Sequence, residues 1–305
     1  MTAVRFLGGK GGVGKTTLAA AFALRQAGEG HRTLVVSTDP AHSLGDALRT
    51  SLSGEPRQVA PGLHAAEISG EEQARRRIAE VAEDARHAVP AEIMPAVRRH
   101  LARAADSPGT VESALLDRLT ELVEQVGTRW DRLVVDSAPT GHMVRLLSLP
   151  TLLTPWIEGL ARQREQARGV DRLVAGMLGD RREESDPLLE RLHARRARLE
   201  RMRERLRTDA LVHLVLVPER LPLAETLRAA DTLTEAGLRL GTVVVNRVVP
   251  GTETGVLASR RAEQQQILAE VDARFAHGGV LHVPLLPGLL TGVEELAELG
   301  GTLEL

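Results

Sequence analysis

The chain has 305 residues, and its 39 Lys plus Arg nearly balance 41 Asp plus Glu, for a formal charge of −2. That balance excludes a polybasic nucleic-acid arm or a strongly acidic solvating tail as the dominant theme. The absence of Cys excludes disulfides, thiolate metal sites and a cysteine nucleophile. With 43% hydrophobic residues a packed core needs no staples, and the length suits one domain, 1–305, with insertions. Aromatic residues are only 2%, which argues against a base-stacking nucleic-acid surface, so no nucleic acid is expected as a partner. No signal-peptide pattern and no long uncharged apolar run occur, so the expectation is a cytoplasmic protein without direct membrane insertion.

Short apolar, mostly Val-rich runs recur along the chain at Ala3 to Leu7, Thr33 to Ser37, Leu133 to Asp136, Leu211 to Val217, Thr242 to Asn246 and Val280 to Val283, with a weaker one at Leu63 to Ile68. Such runs suit strands buried on both faces of a parallel sheet. Helical patterns follow most of them, at Lys15 to Gln26, Thr140 to Ser148, Ala224 to Ala236 and Arg260 to Arg274. The alternation predicts an α/β fold with a doubly wound, mostly parallel sheet.

Two stretches break the alternation. Residues of about 70–128 and 151–208 contain no good strand and read as helical insertions forming a subdomain on one core. In the second, Leu153, Trp156, Ile157, Leu160, Val170, Leu173, Val174 and Met177 form a helical stripe. Gly179 to Pro187 reads as a charged turn, and Leu188, Leu192, Leu199, Met202 and Leu206 form a narrower seam among arginines.

The composition then singles out three residues. Lysine occurs only at Lys10 and Lys15, the other 37 basic residues being Arg, and asparagine occurs only at Asn246. A GC-rich coding bias explains this if Lys and Asn survive only where Arg or Asp will not serve. Both lysines fall in Gly9-Lys10-Gly11-Gly12-Val13-Gly14-Lys15-Thr16, which fits G-x-x-x-x-G-K-S/T between a strand and a helix. There, glycines let backbone N–H groups curl around phosphates, and a helix N-terminus adds a favourable dipole. Lys15 would reach the β/γ-phosphates as a compact charge, and the Thr16 hydroxyl would bind Mg²⁺. Asp39 follows a strand, and Asp136 and Asn246 each end one, where the loops of such sheets face the ligand. Their plainer readings are an Asx turn before Pro40, a helix cap and a turn. His42 and His142 more readily shape loops than catalyse, and the remaining histidines show no metal-ligand spacing.

Gly8 to Thr17, with Lys10, resembles the deviant Walker A loop of the SIMIBI P-loop ATPases. Ser37-Thr38-Asp39-Pro40-Ala41-His42-Ser43-Leu44 and Asp136 to Leu147 resemble switches I and II of the arsenical-pump-driving and tail-anchored-protein-targeting ATPases. Val217-Pro218-Glu219, Val245-Asn246-Arg247 and Val283-Pro284-Leu285 match later blocks of that family. The resemblance implies a nucleotide-sandwich dimer, with itself or a paralogue, that hydrolyses ATP with Mg²⁺. It implies catalytic roles for Lys10, Lys15 and Asp39, Lys10 acting across the interface and Asp39 on the attacking water. It implies nucleotide binding by Gly9, Gly11, Gly12, Val13, Gly14, Lys15, Thr16 and Thr17, with Asn246 on adenine and Pro287 to Leu290 beside it. Metal binding falls to Thr16, Asp39 and Asp136, with Asp136 in the second shell, and Glu219 or Glu225 would lie near the interface. A hydrophobic client helix or a membrane pump subunit would be the partner.

The chain departs from the pattern where targeting factors carry a C-x-x-C zinc clasp; Gly255-Val256-Leu257-Ala258 stands there, and metalloid-binding cysteines are likewise missing. One P-loop implies that two chains make the sandwich. The 153–177 stripe either packs on neighbouring insertion helices, which the scarcity of Met favours, or lines a client groove. Two alternatives remain: a partitioning ATPase of the cell-division class, disfavoured by the acidic Glu294 to Leu305 tail, and a nucleotide-regulated binding module without turnover.

Overall fold

The computed structural model describes residues 2–41, 43–88, 93–105, 107–177, 186–288 and 290–305. His42, Leu289 and most of the Gly179 to Pro187 turn lie outside them, as do the side chains of Val170, Leu173, Val174 and Met177.

Eight strands form one sheet in the order β3-β4-β2-β5-β1-β6-β7-β8. They are β1 (Val4–Gly9), β2 (Thr33–Ser37), β3 (Arg57–Ala60), β4 (Leu63–Glu67), β5 (Arg132–Asp136), β6 (Ala210–Leu216), β7 (Val243–Val248) and β8 (Val280–Pro284). Every pairing is parallel except β3 with β4, the antiparallel edge. The apolar runs alternate between the two faces, as the two-residue period of a strand dictates. Phe6, Leu34, Leu133 and Leu214 face one layer of helices; Leu7, Val35, Val134 and Val215 face the other. Each such side chain, fully removed from water, contributes about 1.5–3 kcal/mol.

The second layer is α1 (Lys15–Gly28), α2 (Ser43–Leu48) and α10 (Val293–Gly301). The acidic C-terminal segment is therefore built into the core. Leu296, Leu299 and Leu303 pack in the cluster around α1, and a Cβ on Gly300 would meet the Ala21 carbonyl at 2.4 Å.

The first layer holds both insertions: α3 (Gly70–Ala88), α4 (Met94–Ala105) and α5 (Pro108–Glu124), then α6 (Thr140–Met177) and α7 (Pro187–Thr208). The remaining helices are α8 (Arg220–Glu235) and α9 (Val256–Arg274). One boundary differs from the sequence expectation. The helix expected to stop at Ser148 runs on through Pro150 and Pro155 as a single 38-residue element. Proline removes a donor and normally ends a helix. Here apolar burial on either side carries the helix past it, through Leu146 and Leu147 before and Ile157 and Ala161 after. The insertion helix is thus a direct continuation of the loop that follows Asp136. The predicted stripe divides: Ile157 is buried and Leu153 packs on the core, while Trp156, with Leu152 beside it, is exposed. In α7 the seam is buried at Leu199, Met202 and Leu206 and opens to solvent at Leu188.

Candidate nucleotide site

The Gly-rich loop turns from β1 into α1 at the centre of the sheet, beneath the carboxyl ends of β2, β5 and β6. Its glycines meet two different demands. A Cβ on Gly9 would stand 2.2 Å from the Val215 carbonyl, because β1 and β6 approach closely there. Gly14 has φ 94° and a Cβ on it would meet the Asn246 amide nitrogen at 2.4 Å, so conformation and space both require glycine. Gly14 caps α1 without a side-chain hydrogen bond, and the first turn carries no acidic residue. The first-turn N–H groups of Lys15, Thr16 and Thr17 are the ones that a helix leaves without intrahelical partners, which suits an anion.

Lys15 is buried, and its ammonium donates to the Lys10 carbonyl at 3.1 Å. Burial lowers its pKa, opposed by the Asp136 and Asp39 carboxylates. Beside it, the Thr16 hydroxyl donates to Asp136 Oδ2 at 2.8 Å and lies 3.0 Å from the Ser43 hydroxyl. The Ser37 hydroxyl also donates to Asp136 Oδ2, at 3.0 Å. Asp136 Oδ1 is buried without a hydrogen-bond partner. Burial pushes the Asp136 carboxyl up to about 6, against the pull of Thr16, Ser37 and Lys15. A buried, orphaned carboxylate oxygen beside two hydroxyls is an oxygen-donor set that fits a hard divalent cation sharing phosphate oxygens. Among the described residues no group of three or more His, Asp or Glu could hold a metal by itself, so such an ion would depend on the phosphates.

The two switch segments are joined. The Thr38 N–H donates to the Asp136 carbonyl, and the Thr38 hydroxyl accepts from the Ala138 N–H. Asp39 Oδ1 accepts from the Ala41 N–H at 3.1 Å, which is the Asx turn before Pro40. The segment after β2 is also tied to β4, the strand that leads into the first insertion: Glu67 Oε1 accepts from the Gly45 N–H at 2.8 Å, and the Ile68 N–H donates to the Ser37 carbonyl.

Lys10 stands apart from its own loop's helix. Its ammonium pairs at 3.3 Å with Glu225 on α8, and both side chains are more than one-third exposed. Asn246 does not end its strand as expected but lies within β7, which continues to Val248; it is turned onto the loop, its amide donating to the Val13 carbonyl at 2.9 Å and its oxygen accepting from the Arg247 N–H at 2.9 Å. A cleft of about 490 Å³ adjoins these residues, lined by Lys10 to Val13, Pro218, Leu221, Arg247 and Leu285 among others. Pro287 is exposed in the turn just beyond it.

Sequence reasoning did not assign Ser37, Ser43, Glu67 or the Lys10–Glu225 pair. Ser37 and Ser43 are visible only as letters of the switch I block, because their roles depend on Asp136 and Thr16, 99 and 27 residues away. Glu67 ends the weakest strand signal in the chain.

A model of the family described as "Anion-transporting ATPase" matches residues 2–305. The chain is 30% identical to a protein of Aquifex aeolicus provisionally named arsenical pump-driving ATPase 2, over 97% of each. It is 30% identical to the ATPase get3 of Schizosaccharomyces japonicus, over 96% of this chain and 90% of that one. It is 31% identical to the arsenical pump-driving ATPase of Acidiphilium multivorum, of which it spans 48%.

Proposed function

Because this chain belongs to the anion-transporting ATPase family, we propose that it hydrolyses Mg²⁺-bound ATP as one half of a nucleotide sandwich and couples that cycle to a partner protein. The observation that carries this reading is the convergence of Thr16 and Ser37 on Asp136, with Ser43 set against Thr16, directly behind the phosphate loop. Thr16 and Asp136 would hold the Mg²⁺, which would neutralise charge on the transferring phosphoryl group.

Lys15 and the N–H groups at the start of α1 would hold the β- and γ-phosphates. Lys15 suits this: burial disfavours its charge, and an arriving polyanion would add to the support it has from Asp136 and Asp39. Asp39 would leave its Asx turn to orient the attacking water and accept its proton. Asn246 and Leu285 would flank the adenine, with Asn246 fixing the loop through Val13. Lys10 would exchange Glu225 for the phosphates of a second copy, supplying positive charge where the transition state develops it. Supporting a second copy, Leu221 and Leu285 line the same cleft as Lys10 and are exposed.

Coupling follows from where the insertions begin. One starts beside Glu67, which holds switch I, and the other is the helix that leaves switch II at Thr140. A change at the γ-phosphate would therefore move α3 and α6 directly. The exposed Leu152 and Trp156 on α6 are the apolar surface that a hydrophobic client or a pump subunit would meet. The test is Asp39→Asn, which should bind ATP and lose turnover; full turnover in that variant removes the assigned role.

A further inference from the structure

The helical subdomain holds a second cavity, of about 500 Å³, walled by α3, α5 and α7 and sharing no residue with the nucleotide site. Its lining carries more positive than negative charge in a chain whose net charge is −2, and Glu55 and Glu124 pair with it from outside. Six arginines face it: Arg76 and Arg77 from α3, Arg118 from α5, and Arg191, Arg195 and Arg198 from α7. Only three carboxylates share the lining: Glu80, Asp117 and Glu121.

Those guanidiniums are held in place from behind. Arg195 is fixed by Asp117 at 3.1 Å and by the Ser113 hydroxyl at 2.8 Å. Arg198 is held by Glu124 at 3.0 Å, and the buried Arg118 by the Gly54 carbonyl, Glu55 and Glu121. Pre-organised guanidiniums lose little freedom when an anion arrives. The wall also keeps unspent hydrogen-bonding capacity: Arg118 Nε and Gln73 Oε1 are buried without partners, which native interiors rarely leave unexplained. Burial pushes the Asp117 carboxyl up despite three nearby arginines.

The layout fits a chain segment better than a compact anion. Positions 191, 195 and 198 fall on one helical face and span roughly 10 Å along α7 at 1.5 Å per residue. Leu188 and Leu192 run beside them one turn apart, and Leu188 is 53% exposed at the mouth. A single phosphate could engage only one end of that row and would leave Leu188 uncovered, Leu192 being already packed partly on the core. A peptide bearing carboxylates about a helical turn apart, with an apolar residue between them, would satisfy both.

We propose that the groove between α3, α5 and α7 is a docking site for an acidic peptide segment of a partner protein, read by the Arg191–Arg195–Arg198 row and anchored on Leu188 and Leu192. This assignment does not depend on the ATPase reading, since none of these residues takes part in nucleotide binding.

The test is fluorescence anisotropy on the full chain at low salt, with a short labelled peptide carrying glutamates one helical turn apart around a leucine. Saturable binding is expected, weakened about tenfold or more in Arg76→Glu/Arg191→Glu and in Leu188→Asp, and lost when the glutamates become glutamines. The three exposed positions leave folding and ATP turnover unchanged, which separates a failure here from a failure of the nucleotide site. The proposal is overturned by absence of saturable binding, by equal binding to the glutamine peptide, by equal binding in both variants, or by inorganic phosphate displacing the peptide as effectively as unlabelled peptide does.

Discussion

Replacing Asn246 by Asp changes one atom and inverts one interaction. The Asn246 amide donates to the Val13 carbonyl at 2.9 Å, whereas a carboxylate would set acceptor against acceptor. The hydrogen bond itself is worth about 0.5–1.5 kcal/mol, and leaving a part-buried acceptor unmatched brings the loss to about 1–3 kcal/mol. That loss is present without nucleotide. With nucleotide, a new negative charge beside a loop that holds phosphates costs on the order of 2 kcal/mol at an effective dielectric of about 20. Asn246→Asp should therefore be less stable to urea by about 1–3 kcal/mol and bind ATP roughly 30-fold more weakly. Urea unfolding of the nucleotide-free protein measures the first, and calorimetric titration with ATP the second. Asn246→Ser keeps a donor and adds no charge, so it should lose far less ATP affinity. Wild-type stability together with wild-type ATP affinity in Asn246→Asp would refute the reasoning.

Other outcomes follow from the same geometry. Lys15→Arg and Lys10→Arg should each reduce turnover at least tenfold, because the planar guanidinium is a poor substitute for a compact ammonium in a tight loop; steady-state phosphate release measures both. Gly9→Ala would place a Cβ 2.2 Å from the Val215 carbonyl, so β1 and β6 must part, at a cost of about 1–3 kcal/mol read from the unfolding midpoint. His213 is buried in β6, and burial, with Arg5 nearby, lowers its pKa to about 4. Its folded form therefore binds fewer protons than the unfolded form between pH 4 and the ordinary histidine value of about 6.5. The stability from this group is complete above that window and is lost as pH falls through it, about 3 kcal/mol in all. His213→Leu should flatten the pH dependence of urea stability between pH 4 and 6.5; an unchanged slope would contradict this.

Much of the sheet is legible in the sequence because its strands are buried on both faces. Thr33 to Ser37 matches β2 residue for residue, and the runs before Asp136 and around Val243 fall within two residues of β5 and β7. The edge strand β3 was not readable: Arg57 and Gln58 are exposed and carry no apolar period. The length of α6 was not readable either, because Pro150 is a local stop signal that tertiary burial overrides. In the site, the phosphate loop stands out because glycine spacing and the two surviving lysines are local features. The Asp136 cluster is not local, since Thr16 and Ser37, with Ser43 behind Thr16, come together only after β1, β2 and β5 have paired. Asn246 was singled out by its solitude, yet its partner across the fold, the Val13 carbonyl, had no signature in sequence.

The central claim is that Lys10 acts in the site of a second chain while Asp39 acts in its own. Mixing two inactive variants tests it directly. Lys10→Ala lacks the donated lysine, and Asp39→Asn lacks the residue that serves the attacking water. In a mixed dimer, the Lys10→Ala chain keeps its own Asp39 and receives Lys10 from the Asp39→Asn chain, so one of the two sites is complete. An equimolar mixture should recover about a quarter of wild-type turnover, because about half of the dimers are mixed and each has one working site. A mixture as inactive as its two components, under conditions where mixed dimers are shown to form, would place Lys10 in its own chain's site and contradict the claim.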